Sequence, residues 1–176
     1  MTRVLLTGAT GFVGRQVLRA LAQAGAQVTA VVRTGQAAPE GASQAVATPD
    51  MFAESPAFWA TACANIDVVA HVAWYAEPGK YLLAPLNLHC LSGTLALAQG
   101  ALDAGVRRFV GVGTCFEYDL TAGVLSISTP LRPVTPYAGA KAGAFLALSQ
   151  AFPQAGRSFA WCRLFYLFGE GEDSRR

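Results

Sequence analysis

Arg3-Val4-Leu5-Leu6-Thr7 runs directly into Gly8-Ala9-Thr10-Gly11-Phe12-Val13-Gly14, and this junction decides the fold. The short apolar run, ended by Gly8, predicts a buried central strand. Beyond the glycines, Val13, Val17, Leu18 and Leu21 recur at helical spacing over residues 12–24, and Gly25 stops the helix. Gln27–Arg33 is rich in β-branched residues and predicts a second strand. The first 33 residues therefore read as one β-α-β unit with a glycine turn inside it. Glycines allow a tight turn and a close backbone approach to a pyrophosphate. The following helix offers unpaired N–H groups and the positive end of its dipole. Gly8, Thr10, Gly11, Phe12, Val13 and Gly14 are thus the candidate residues for cradling a dinucleotide.

Working outward, strand and helix patterns keep alternating. A weak strand is predicted near Ala45–Ala47, and Ser55-Pro56 predicts an N-cap and first-turn proline for a helix through about Cys63. Residues 66–74 predict a strand, 82–104 a long helix ended by Gly105, and 106–114 a further strand. A connection over 115–134 contains Pro130 and Pro133; Thr135-Pro136 then opens a helix through about Ala151. Residues 158–168 predict the last strand, stopped by Gly169. With 53% hydrophobic and 14% charged residues, the chain suits a sheet buried on both faces. The fold class expected is α/β, a doubly wound parallel sheet of the Rossmann type, with one domain over residues 1–171 and a polar tail over 172–176.

Several function classes are disfavoured. The net charge is +2, and Arg107–Arg108 and Arg175–Arg176 are isolated pairs, so no basic stripe marks a nucleic-acid partner. No apolar run reaches the roughly 18 residues of a membrane span, and no metal site is expected. Cys63, Cys90, Cys115 and Cys162 form no C-x-x-C pair. Together with a first strand that follows Met1-Thr2 at once, this predicts reduced thiols, no targeting segment and a cytoplasmic location.

A dinucleotide site for NAD commonly places Asp or Glu at the end of the second strand, on the ribose 2′-hydroxyl. Here that strand ends Val31-Val32-Arg33. An arginine fork pairs with a 2′-phosphate, so Arg33 points to NADP, with NAD as the alternative. Arg15, just past the glycine loop, either assists or faces water.

Tyr137-Ala138-Gly139-Ala140-Lys141 places a phenol and an ammonium four residues apart, on one face of a helix. A free phenol titrates near pH 10. A neighbouring ammonium favours the phenolate, which turns Tyr137 into a general acid/base.

The G-x-x-G-x-x-G spacing of the first turn, the Tyr137-x-x-x-Lys141 pair and the segment Asp67-Val68-Val69-Ala70-His71-Val72-Ala73 together resemble the extended short-chain dehydrogenase/reductases, the NAD(P)-dependent nucleotide-sugar epimerases and dehydratases. The resemblance runs from Thr7 to Gly171. It implies that Val72 and Ala73 line the cofactor's far side, that Lys141 also holds the nicotinamide ribose, and that Thr114 bonds the substrate oxygen. Catalytic Thr114, Tyr137 and Lys141 follow from it. His71 is read as a packed strand residue, and Cys115 as a passive thiol with no histidine partner.

Departures are Asp119 where the family has glycine after Tyr118, Glu170 where it has proline, and Cys90 where it has asparagine, with Asn87 one turn earlier. The implied reaction is 4-ketoreduction or 4-epimerisation of a nucleotide sugar. A 4,6-dehydratase ranks behind both, because its acid pair directly follows the threonine, where Cys115 and Phe116 stand and Glu117 comes one place late. A cofactor-binding sensor or interaction module, and a structural domain with a decayed site, are the readings from other classes. The family continues into a smaller C-terminal substrate region that this chain mostly lacks, so truncation is expected, as is a homodimer through the two long helices.

Overall fold

The computed structural model describes residues 1–169 and 171–172. Glu170 and most of the polar tail lie outside the described residues. Six strands, β1 (Arg3–Thr7), β2 (Gln27–Arg33), β3 (Gln44–Thr48), β4 (Val68–His71), β5 (Arg108–Thr114) and β6 (Ser158–Leu164), form one sheet in the order β3-β2-β1-β4-β5-β6. Every pairing is parallel. The helices are α1 (Phe12–Gln23), α2 (Pro56–Ala62), α3 (Leu86–Asp103) and α4 (Pro136–Gln154). This is the doubly wound Rossmann arrangement, as the alternation predicts.

The inner strands send alternate side chains to two cores, one on each face of the sheet. Leu5, Val31, Val69 and Phe109 join Trp59 of α2, Leu97 of α3, and Leu148 and Phe152 of α4. Val4, Leu6, Val28, Ala30, Val32 and Ala70 meet Leu18 of α1 on the other side. At full burial, a side chain of this size contributes about 1.5–3 kcal/mol, so the two cores dominate the fold's stability. On the α1 side, Val110 and Val112 of β5 are only half-buried, and Ala160 and Cys162 of β6 are exposed.

The predicted caps form. The Ser55 hydroxyl accepts from the Phe58 N–H, and the Thr135 hydroxyl accepts from the Ala138 N–H. Element ends differ where tertiary bonds intervene. β4 stops at His71 instead of residue 74, because the N–H groups of Val72 and Ala73 turn to the Thr7 hydroxyl at 3.2 Å each. α3 starts at Leu86 instead of residue 82, behind Pro85 and a loop tied by Asn87. β6 stops at Leu164 instead of 168 because its partner strand ends at Thr114, opposite Leu164. α4 continues to Gln154, past the expected end near Ala151, with Pro153 in its last turn. Short 3₁₀ turns at Cys115–Glu117 and Leu120–Ala122 open the long connection, and an antiparallel bridge pairs Tyr118 with Leu131.

Among the described residues, no helix is long and apolar enough to cross a membrane, and no group of His, Cys, Asp and Glu side chains is placed to hold a metal ion. All four cysteines are free.

Candidate functional site

The strand order reverses direction between β1 and β4, and ligands of such sheets bind at the carboxyl ends of the strands there. Gly8 follows β1 with φ +73°, a conformation that favours glycine. A Cβ on Gly8 would lie 2.7 Å from the Ala73 nitrogen, and one on Gly14 would overlap the Gly8 carbonyl. Both glycines therefore let the loop close onto β4 and α1. Gly11 differs, because among the described residues a Cβ there would meet only the Gly8 carbonyl oxygen, at 3.4 Å. Gly11 is also the N-cap of α1, makes no side-chain cap bond, and is followed by no acidic residue in the first turn. No described side chain caps the N–H groups of that turn, which suits them to a pyrophosphate. The glycine loop thus fits a dinucleotide. The Arg15 side chain donates to the Gly171 carbonyl at 3.1 Å, which ties the chain after β6 back to α1.

Beneath this loop, Thr7 accepts from the Val72 and Ala73 N–H groups, so its own proton goes to Nδ1 of His71 at 2.9 Å. His71 Nε2 then carries the ring proton and donates to the Thr94 hydroxyl at 2.9 Å. Burial, aided by the Lys141 charge, pushes the His71 pKa down to about 3. His71 is a neutral tie between β1, β4 and α3, in keeping with its reading as a packed strand residue.

Thr114 closes β5, while Tyr137 and Lys141 lie one turn apart on α4. The Thr135 cap and Pro136 start α4, which puts Tyr137 in its first turn. The Tyr137 N–H donates to the Leu82 carbonyl at 3.1 Å, and its half-buried ring meets Tyr81 edge-on with ring centres 4.8 Å apart. One turn on, Lys141 is almost wholly buried. Its Nζ donates to the Val112 carbonyl at 2.6 Å and lies 4.0 Å from the centre of the Trp74 ring. Burial lowers the Lys141 pKa to about 7, against the raising effects of Glu117 and Cys90. Val112 is two residues before Thr114, so ammonium and hydroxyl converge on one strand end.

Thr114 is buried, and its hydroxyl accepts from the Phe116 N–H at 3.3 Å. Burial raises the Cys115 thiol, and the Thr114 hydroxyl beside it partly offsets that rise. This is unlike an activated nucleophile.

Trp74, Tyr81, Glu117 and Arg163 escaped the sequence reading as site residues. Trp74 reads as the last residue of a strand, yet it leaves the sheet and supports Lys141. Its indole N–H donates to Asn87 Oδ1 at 2.8 Å, while Asn87 Nδ2 donates to the carbonyls of Tyr81 and Ala84. Asn87 is therefore fully engaged in holding the loop above α4. Arg33 lies apart from this set, exposed at the end of β2. Its charge reaches Asp50, whose pKa is lowered mainly by a hydrogen bond from His89 and in small part by Arg33.

Known proteins share both sequence and fold. The chain is 26% identical over 171 residues to a dTDP-6-deoxy-L-talose 4-dehydrogenase (NAD(+)) of Aggregatibacter actinomycetemcomitans, covering 95% of this chain and 62% of that protein. It is 30% identical over 149 residues to a UDP-glucose 4-epimerase of Streptomyces lividans, covering 79% and 44%. Among solved structures, MoeE5 in complex with UDP-glucose and NAD superposes with a TM-score of 0.81 at 28% identity, over 97% of this chain and 56% of the other. A UDP-N-acetylglucosamine 4-epimerase of Methanobrevibacter ruminantium M1 gives 0.82 at 21% identity, over 98% and 57%. The chain thus spans about half to three-fifths of the length of these proteins. A profile built on such enzymes matches residues 4–176, from the first strand onward. That match agrees with the strand order and the glycine turn, and the chain belongs to the NAD dependent epimerase/dehydratase family.

Proposed function

We propose that the chain is the cofactor-binding and catalytic part of an NAD(P)-dependent enzyme that carries out 4-ketoreduction or 4-epimerisation of a nucleotide sugar. The observation carrying this reading is that Lys141 reaches the Val112 carbonyl of β5 at 2.6 Å and rests on Trp74, whose ring also meets Tyr137 edge-on with centres 6.4 Å apart. The glycine loop and the first turn of α1 would hold the pyrophosphate, with Val72 and Ala73 beside it. The nicotinamide cofactor, when bound, supplies the hydride acceptor or donor.

The chain's own residues handle the proton. Lys141 stabilises the Tyr137 phenolate by charge, so that the phenol can give up or take a proton at the sugar oxygen near neutral pH. Thr114 donates a hydrogen bond to the same oxygen. Glu117 is fully buried and engaged by Thr114, Trp161 and Arg163, which leaves it unable to serve as a dehydratase's acid or base. This supports ranking dehydration last. The retained Thr114, Tyr137 and Lys141 favour turnover over a sensor or interaction module. Exposed Leu88, Leu95 and Leu146 on α3 and α4 support a homodimer through these helices.

For the cofactor, Arg33 supports NADP. A second reading, NAD, is favoured by Asp50, whose carboxylate stands near Arg33 and would repel a 2′-phosphate. Titration with NADPH and NADH decides between them. NADP binding requires that NADPH bind more tightly and that Arg33→Ala weaken it about tenfold or more. Turnover is tested with UDP-glucose and dTDP-6-deoxy-L-talose. Tyr137→Phe is expected to lower it at least about a hundredfold, and equal activity of this variant would refute the catalytic reading.

A further inference from the structure

Glu117 is a carboxylate with no exposed surface, in a short turn after β5. Its Oε1 accepts from the Thr114 backbone N–H at 2.8 Å and from Trp161 Nε1 at 3.0 Å. Its Oε2 accepts from Trp161 Nε1 at 3.1 Å and from Arg163 Nε at 2.7 Å. The Arg163 guanidinium stacks over Phe145 at 4.2 Å and Tyr118 at 4.8 Å, and its Nη2 has no hydrogen-bond partner among the described residues. Room for this cluster comes from Gly111 and Gly113, whose hypothetical Cβ atoms would run into the Trp161 ring.

Burying such a pair costs desolvation that apolar residues of similar size would avoid. Stability alone is therefore a weak reason for it. What the pair achieves is local. The N–H of Thr114 is anchored to Glu117, and the Thr114 hydroxyl oxygen is held by the Phe116 N–H. With the backbone held and one lone pair of the oxygen occupied, fewer directions remain open to the hydroxyl proton. Arg163 and Trp161 on β6 hold the carboxylate in place across the sheet.

We infer that Glu117 is a positioning residue: with Arg163 as its counter-charge and Trp161 as a second donor, it fixes Thr114 and so aims the Thr114 hydroxyl at the substrate oxygen. The role of that hydroxyl rests on the function proposed above, whereas the link from Glu117 to Thr114 rests on geometry alone.

The test uses the full chain with Glu117→Gln, Thr114→Val and the double variant. Amide hydrogen exchange is read residue by residue. Conversion of UDP-glucose and of dTDP-6-deoxy-L-talose is followed alongside. In Glu117→Gln, exchange at Thr114 should speed up about tenfold or more, while Phe109 and Val110 in the same strand stay as slow as before. The kcat should fall about tenfold to a hundredfold, with the sugar KM and the NADH Kd within about twofold. The double variant should be no slower than Thr114→Val alone, because both changes act through one hydroxyl.

Should Glu117→Gln fail to fold, Arg163→Lys keeps the charge, loses the planar fork, and should shift the same readings less far. Unchanged exchange at Thr114, faster exchange along the whole of β5, or multiplicative losses in the double variant would each overturn the inference. Local loosening at Thr114, with Thr114→Val as active as the unaltered chain, would instead overturn the proposed function and leave the positional link standing.

Discussion

Lys141 rests its ammonium on the face of Trp74, 4.0 Å from the ring centre, while donating to the Val112 carbonyl at 2.6 Å. A desolvated cation on an indole face gains about 2 kcal/mol. That attraction and one carbonyl replace the water an ammonium would otherwise bind. Burial still wins, since the pKa falls from 10.5 to about 7.

A lowered lysine pKa makes stability depend on pH in a definite direction. Between about 7 and 10.5 the unfolded chain binds the proton more readily than the folded chain, so this group makes stability rise with pH. The contribution is complete above 10.5 and lost as pH falls through about 7. Cys63 acts oppositely above its ordinary 9.0, because burial pushes its thiol up to about 12. The window to read is therefore pH 7 to about 9. Urea unfolding there should show stability rising by roughly 1–3 kcal/mol, and Lys141→Met should flatten the rise. An equal slope in both proteins would show that Lys141 is not the titrating group.

The glycines of the loop should separate by role. Gly14→Ala drives a Cβ into the Gly8 carbonyl, a backbone atom that cannot move aside, so the loop must distort. Its melting temperature should drop by several degrees, since a cost of about 1–3 kcal/mol is typical of such overpacking. Gly11→Ala meets only one atom, at 3.4 Å, and should fold as before. The added methyl occupies the space before the α1 N-terminus, so NADH affinity measured by nicotinamide fluorescence should fall about tenfold or more. Unaltered NADH binding by Gly11→Ala would remove the glycine loop from the cofactor site.

His71 should set the response to mild acid. Its folded pKa of about 3 lies below its ordinary 6.5, so its contribution is present above pH 6.5 and is lost as pH falls toward 3. Asp67, held low by its bonds to Arg3, adds acid sensitivity only below its ordinary 3.8. Chemical denaturation at pH 6.5 and 4.5 therefore isolates the histidine. The unaltered chain should lose about 2 kcal/mol across that interval, and His71→Gln should lose much less. Parallel losses would mean that another group carries the acid response.

The sequence by itself determined the features that need only local order. A short apolar run, a glycine turn and an i, i+3, i+4 pattern suffice for the first β-α-β unit, because each is set by the period of one element. The same holds for Ser55-Pro56 and Thr135-Pro136 as helix starts, and for Tyr137 and Lys141 sharing one helix face. The tertiary structure alone decided which distant groups meet. Glu117 and Arg163 stand 46 residues apart and pair because β5 and β6 lie in register, Gly113 opposite Arg163. Trp74 supports Lys141 because β4 ends early, once the Thr7 hydroxyl takes the N–H groups of Val72 and Ala73. The tautomer of His71 depends on hydroxyls from β1 and α3. No local period carries such pairings, since they arise from sheet register and helix packing, and these appear only when the whole chain closes around its two cores.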